Sequence, residues 1–340
     1  MKNWIDYDST DNLVLSSRIR LARNIDKYPF PHKLDDEKGR EIVKNIESAL
    51  YVSDDIKKDY KSIYLWDSPS SLNRTYIEKH LISFNLLNNK SKAAFILNSD
   101  ETVSIMINEE DHIRLQCITA GLNMQEAFDY AQNIDNLFEE KLDYAFDEKL
   151  GYLTACPTNL GTGMRASVMV HLPALTMDSE MNGVLNALTQ VGMTIRGLFG
   201  EGSKAKSNIY QISNQITLGI SEEDIINNLN AVVNQITVQE KLTRQNLMNN
   251  YKYDLEDRIY RALGILKSAV ILDITECMDL LSNVRMGVEM GILKELDILK
   301  LNKLLVDTQP AILKNRFGNN LSQKEIDFNR AKIVREALNK

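Results

Sequence analysis

Cysteine is scarce in this chain, and the few it has stand far apart. Cys117, Cys156 and Cys277 are odd in number and widely spaced, which excludes a disulfide framework and a clustered zinc site. Long apolar runs are missing too. None reaches the roughly 20 residues that a membrane-spanning helix needs, and the opening Met-Lys-Asn-Trp-Ile-Asp is no signal peptide. An excess of basic charge is also absent. With 47 acidic against 40 basic residues, the chain lacks the footprint of a general nucleic-acid binder. These absences predict a reduced, soluble, cytoplasmic protein with no membrane and no direct nucleic-acid partner. Its 340 residues suffice for a large core and two domains.

What is present concentrates between Thr154 and Arg165, where a thiol (Cys156), a proline, two glycines and an arginine fall within twelve residues. Asn159, Gly161 and Gly163 suit backbone geometry closed to bulky residues. Arg165 opens the alternation Arg-Ala-Ser-Val-Met-Val-His-Leu, which reads as a strand with one buried face and Arg165 on the other. Residues Leu13–Leu21 give a strand with Arg18 and Arg20 on one face. His112–Cys117 gives another, with His112, Arg114 and Gln116 outward, just after the acidic run Glu109-Glu110-Asp111. Met193–Arg196 is a fourth, leading into a glycine-rich loop that carries Glu201.

Helical periodicity marks Asp35–Leu50, and Leu72–Leu86 with Tyr76, His80 and Phe84 on one stripe, where His80 reads as a core histidine. Asn123–Phe146 begins with an Asn-x-x-Glu cap at Asn123 and Glu126. From Asn249 onward strand-like alternation disappears and only helices follow, the last opened by the capping box Ser322–Glu325. We therefore expect a domain over residues 1–248 and an all-helical bundle over 249–340, suited to dimerisation or partner contact.

Five arginines (Arg18, Arg20, Arg114, Arg165 and Arg196) each lie on a predicted strand, on the face that aliphatic neighbours avoid. Guanidinium groups bind phosphate oxygens through paired hydrogen bonds, so such a set fits a nucleotide triphosphate and a charge-dispersed phosphoryl-transfer transition state. Glu109, Glu110 and Glu201 then call for a cationic acceptor, held with a nitrogen in line with the γ-phosphate. A Cys156 thiolate would add one more anionic contact to that acceptor.

The run Cys156-Pro-Thr-Asn-Leu-Gly-Thr-Gly resembles the signature of the ATP:guanidino phosphotransferases, the creatine and arginine kinase family. Ser16-Ser-Arg-Ile-Arg20, Asn108-Glu-Glu-Asp-His-Ile-Arg114 and the Arg196 loop resemble its other blocks in the same order, over residues 13–245. The resemblance implies an α+β fold, an antiparallel sheet flanked by helices and related to glutamine synthetase. It implies ATP as donor, with Mg2+ held through the nucleotide phosphates and no metal bound by the protein itself. It assigns Ser16, Ser17, Arg18, Ile19, Arg20, His80, Arg114, Arg165, Ala166, Ser167, Val168, Met169, Arg196, Gly197, Leu198, Phe199 and Gly200 to the nucleotide. Glu109, Glu110, Cys156 and Glu201 fall to the acceptor. His80 thereby becomes a nucleotide contact rather than a core residue.

Small-molecule kinases of this family carry a helical domain before the Ser-Ser-Arg block, which here begins at Ser16. With that domain missing and a helical tail present, the chain is similar to the bacterial branch that phosphorylates arginine side chains in proteins. The alternatives are a kinase for free arginine and a non-catalytic adaptor that binds phosphoarginine. The branch's partners would be the McsA activator, the CtsR repressor and the ClpC–ClpP protease. Its members share a late Arg-Asp-x-x-Arg-Ala motif that forms an allosteric phosphoarginine pocket. Here Asp327, Arg330 and Ala331 match, but Ile326 replaces the first arginine, and the missing guanidinium weakens phosphate capture.

Overall fold

A computed structural model describes residues 3–6, 13–197 and 206–339. Among the described residues ten strands are formed: β1 Val14–Arg23, β2 Tyr60–Tyr64, β3 Ala94–Asn98, β4 Val103–Ile107, β5 Ile113–Ala120, β6 Phe146–Asp147, β7 Gly151–Tyr152, β8 Met164–His171, β9 Met193–Gly197 and β10 Ile209–Asn214. Eight of them hydrogen-bond in the order β2-β3-β4-β5-β1-β8-β10-β9, while β6 and β7 make a separate hairpin. Every pairing from β2 through β1 is antiparallel. The helices are α1 Asp36–Leu50, α2 Asp54–Asp59, α3 Ser70–Glu78, α4 Met124–Glu139, α5 Pro173–Met177, α6 Met181–Gln190, α7 Glu222–Asn250, α8 Lys252–Ser268, α9 Ile274–Glu289, α10 Ile298–Asp307, α11 Pro310–Phe317 and α12 Gln323–Leu338. Among the described residues no helix is long and apolar enough to cross a membrane.

The chain divides into two compact units. The first is built mainly from Ser16–Ser167 and Ser213–Asn230, the second from Trp4–Leu15, Val168–Ile212 and Ala231–Lys340. In the first, α4 packs on β5 and α1 on α4. Ile42, Val43 and Ile46 of α1 are buried at helical spacing, and Asp35 caps its start by accepting from the Lys38 N–H at 2.8 Å. A compact apolar cluster of Leu81, Leu86, Phe95 and Met106 holds the β3–β4 side together.

In the second unit α8, α9, α10 and α12 pack on one another. Glu289 of α9 is buried there among His171, Arg244 and Arg285 at 2.7–3.0 Å. Burial would push its carboxyl up, but the interactions with His171, Arg244 and Arg285 outweigh it and hold it at about 2.

Three local expectations are corrected. The helix over Leu72–Leu86 stops at Glu78. His80 takes a left-handed φ of 61°, and the Leu81 N–H closes onto the Tyr76 carbonyl at 2.9 Å, a helix-ending geometry. His80 thus leaves the helical stripe, and Phe84 is exposed. Asn123 does sit at the start of α4, but its side chain makes no cap. It donates instead to the Ala120 carbonyl at 2.6 Å. The odd face of β8 is buried as well. His171 hydrogen-bonds Glu289 at 3.0 Å and Ser282 at 2.9 Å, so only Arg165 of that strand is partly open. A strand covered on both faces loses the alternation signal. Strand β2 carried no clear sequence signal.

The turn before β8 is fixed by its glycines. Gly161 and Gly163 have φ of +103° and +63°, and the Gly163 carbonyl accepts from the Ala22 N–H at 2.9 Å. A Cβ at Gly163 would sit 2.6 Å from both the Ala22 oxygen and the Arg23 guanidinium. That guanidinium is not free to yield. It bonds Asp135 at 2.7 Å and the Thr162 carbonyl at 3.0 Å, and lies 3.5 Å from the Tyr152 ring centroid.

Gly163→Ala is therefore expected to destabilise the protein by about 3 kcal/mol. Gly219→Ala, at φ +76° but in open space, should cost about 1 kcal/mol. Denaturant melts of the two variants check the difference, and equal losses would refute the steric account.

Candidate active site

Antiparallel register brings the site together. Arg20 on β1 lies opposite Gln116 on β5, and Ala22 opposite Arg114. Directly opposed residues share a face, with Cβ atoms about 5 Å apart, so Arg18, Arg20, Arg114 and Gln116 project to one side. Arg18 donates to Ser167 of β8 at 3.3 Å and to Gln116 at 3.5 Å. Gln116 in turn donates to the His80 carbonyl at 2.8 Å. One pocket is lined by Arg20, Arg114 and Arg165, by Glu109, Glu110 and Asp111, and by Cys156, Thr158, Asn159 and Gly163.

The electrostatics are those of crowded like charge. Burial first, then the neighbouring Arg114 and Arg165 guanidiniums, pull Arg18 down to about 10. Arg20 is pulled well below its ordinary value by burial and by Arg18, Arg114 and Arg165, with only Glu109 opposing. The Arg20 Nε is buried with no hydrogen-bond partner among the described residues. Burial, and next the charge of Arg18, push the His80 imidazole down to about 4, leaving it neutral at pH 7. An anion placed here would offset the mutual repulsion of these guanidiniums.

The acidic run is divided in three. Glu109 is buried, bonded to Arg114 at 2.7 Å and to the Ser83 hydroxyl. Burial would raise its carboxyl, but Arg114 and the Ser83 bond outweigh that and hold it below its ordinary value. Glu110 is exposed. Burial of part of its side chain, then Asp111 and Glu109, raise its carboxyl against the pull of Arg114. Asp111 is buried and accepts from Asn24 and from the Ala155 N–H. Cys156 is half-buried, with its sulfur 3.0 Å from the Thr158 hydroxyl. Asn159 sits in a single turn, Pro157–Asn159, without the left-handed backbone expected of it.

Not every expected residue meets at this pocket. His112 is buried, not outward. Its Nδ1 accepts from the Ile25 N–H and its Nε2 donates to the Pro29 carbonyl, both at 3.0 Å. Gln116 is buried too. Ile19 is fully buried in the core, and Ser16 is buried nearby. Ser17 donates to the Gly121 carbonyl and accepts from the Asn123 N–H. Ala166 donates its N–H to Asn214 at 2.8 Å. Val168, Met169, Arg196 and Gly197 belong to the second unit, where Arg196 is exposed and Gly197 buried. Leu198, Phe199, Gly200 and Glu201 lie outside the described residues.

In the last helix, Arg330 is fully buried on the carbonyls of Thr308 and Leu272 and on Asp327, and Ile326 is buried beside them. Gln116, Ser83, Asn89 and Asn24 organise the site but escaped the sequence reading, because each works through a partner distant in sequence. Asn89, for example, donates to the Glu109 carbonyl at 2.8 Å.

Residues 41–243 match the family described as ATP:guanido phosphotransferase, C-terminal catalytic domain. The chain belongs to the ATP:guanido phosphotransferase family. Residues 252–340 match the protein-arginine kinase McsB C-terminal domain. The chain is 61% identical over 340 residues to a protein-arginine kinase of Clostridium kluyveri, covering 99% of each. It is 60% identical to one of Clostridium acetobutylicum, covering 99% of this chain and 100% of that protein. Among solved structures it is similar to lombricine kinase, with a TM-score of 0.61 and 28% identity over 72% of this chain and 70% of that one. The fold is also shared with the duplicated taurocyamine kinase of Schistosoma mansoni, with a TM-score of 0.60 and 20% identity over 95% of this chain and 43% of that one. Arg114, Arg165, Glu109, Glu110, Asp111 and Cys156 of the pocket lie within the stretch that matches the phosphotransferase catalytic domain.

In wild type Glu109 prefers its charged form in the fold, so its stabilisation is present above about 4.5 and is lost as pH falls through its lowered folded value. Arg114→Met leaves that buried carboxyl to desolvation. Its folded value then rises, and its contribution is lost as pH climbs instead. The variant should lose about 3 kcal/mol at pH 7 and less than half of that at pH 4. Chemical denaturation at the two pH values checks this; an equal loss at both would count against it.

Proposed function

We propose that the protein transfers the γ-phosphate of ATP to the guanidinium of arginine side chains in proteins. The observation that carries this reading is the concentration of Arg18, Arg20, Arg114 and Arg165 on one sheet face. There burial and mutual repulsion depress Arg18 and Arg20, and exposed Glu110 and Cys156 share the pocket. The arginines take the triphosphate, whose negative charge spreads over the transferring group in the transition state. His80, neutral and next to Arg18, lies on the nucleotide side.

Glu110 faces the acceptor. Its raised proton affinity suits it to orient the guanidinium and accept a proton as the N–P bond forms and the bond to ADP breaks. Cys156 adds a second contact to the acceptor, and Glu201 is assigned the opposing carboxylate from sequence. Mg2+ would arrive on the ATP phosphates and neutralise their charge.

In this reading residues 1–248 are the catalytic domain, and residues 249–340 serve homodimerisation and regulation. The protein acts in the cytoplasm, in stress response and protein quality control. Its partners are an McsA-type activator, the CtsR repressor as substrate and the ClpC–ClpP protease as reader. Phosphorylation converts a cationic side chain into an anionic one, a large local signal.

The decisive test is incubation with Mg-ATP and an arginine-bearing protein, followed by mass spectrometry that preserves phosphoramidates. Phosphate on arginine is expected. Transfer to free arginine alone, or no transfer, would overturn the reading. Glu110→Gln should lower the rate by about 100-fold or more while nucleotide binding, followed by calorimetry, stays close to wild type.

A further inference from the structure

Asp111 is the carboxylate of the acidic run for which the chemistry above has no use. It is 2% exposed, and its Oδ1 takes two hydrogen bonds, from the Asn24 side-chain amide at 2.6 Å and from the Ala155 N–H at 2.7 Å. The same Asn24 nitrogen donates to the Leu153 carbonyl at 2.9 Å. The Asn24 oxygen accepts from the His112 N–H at 2.9 Å. Asn24, also 2% exposed, therefore has its whole side chain spent on fastening two segments together. One segment is the acidic loop, in which Glu110 immediately precedes Asp111. The other is the stretch Leu153–Ala155, which Cys156 immediately follows.

Two buried polar side chains, Asn24 engaged through its nitrogen and its oxygen and Asp111 through Oδ1, join backbone segments that local secondary structure leaves independent. The residues next to the joined positions are Glu110 and Cys156, and both face the same pocket. A carboxylate and a thiol that grip one planar guanidinium must keep a fixed separation, since misplacement by about 1 Å can cost 100-fold in rate.

We propose that Asn24 and Asp111 are positioning residues that set the distance between the Glu110 carboxylate and the Cys156 sulfur, and so align the acceptor guanidinium. This rests on the arginine kinase reading. Asp111 acts here as a hydrogen-bond acceptor for Ala155 and Asn24, not through its charge on the substrate. An amide oxygen in its place retains that role, whereas a direct contact with a cationic acceptor would require the carboxylate.

The test uses full-length Asp111→Ala, Asp111→Asn and Asn24→Ala, assayed with Mg-ATP and an arginine-bearing protein. Asp111→Ala and Asn24→Ala are expected to lower kcat/KM for the protein acceptor by about tenfold or more, with KM for ATP within about twofold of wild type. Asp111→Asn should recover most of the loss. Cys117 and Cys277 are buried, so N-ethylmaleimide reports on Cys156. Its labelling rate should change by about threefold or more in the two alanine variants and stay near wild type in Asp111→Asn.

The proposal is overturned if Asp111→Asn is as impaired as Asp111→Ala, if ATP and acceptor parameters fall together, or if the alanine variants match wild type. Should Asp111→Ala fail to fold, Asn24→Ala and Asp111→Asn decide by the same criteria. Absence of arginine phosphorylation in wild type would sink the kinase reading, while the labelling rates would still judge the clasp.

Discussion

Like charges held close together on one sheet face are the constraint around which the first unit is arranged. Arg18 and Arg20 are two residues apart on β1, Arg114 lies diagonally from Arg20 on the neighbouring β5, and Arg165 arrives from β8. The ladder allows little escape, because diagonal neighbours on one face are only about 7–8 Å apart, within reach of long side chains. Burial first, and then repulsion among these guanidiniums, lower the proton affinity of Arg18 and Arg20. The protein offers limited relief: Glu109 for Arg114, and neutral oxygens of Ser167 and Gln116 for Arg18. Such preorganisation suits a transition state in which negative charge is spread over several oxygens, since no side chain has to move into place.

Much of this was legible because strands repeat every two residues. Aliphatic alternation located β1, β5 and β8 and set their arginines apart from the buried face. The same logic failed at His112, Gln116 and His171, polar residues that alternation sends to solvent. They lie in a sheet covered on both sides, and their bonds go to Pro29, His80 and Glu289, partners far off in sequence. His80 shows the complementary failure. Helical spacing carried the stripe past Glu78, but the chain turns left-handed at His80, where Gln116 binds its carbonyl. Local pattern cannot foresee an interaction supplied by a strand 36 residues away.

The acidic run illustrates how neighbours in sequence acquire different work. Glu109, Glu110 and Asp111 have similar chemistry and adjacent positions, so sequence treated Glu109 and Glu110 alike and gave Asp111 no role. Burial separates them. Glu109 is enclosed with an arginine and a serine, Glu110 stays exposed, and Asp111 is enclosed with amide donors. Their proton affinities move apart accordingly, Glu109 down and Glu110 and Asp111 up. A cationic partner stabilises the charge, whereas burial beside other carboxylates opposes it.

The direction of such shifts also distinguishes arginines that build from arginines that bind. Burial pulls Arg244 down, but Glu289 and Glu240 outweigh it and raise its proton affinity. Arg23 and Arg330 likewise have a carboxylate within hydrogen-bond reach, Asp135 and Asp327. In each case the protein supplies the counter-charge, and the guanidinium is a joint between elements. For Arg18 and Arg20, burial and then the neighbouring guanidiniums lower the proton affinity instead. Arg330 is held on the Thr308 and Leu272 carbonyls and on Asp327, with Ile326 buried beside it, while its Nη2 is buried with no hydrogen-bond partner among the described residues.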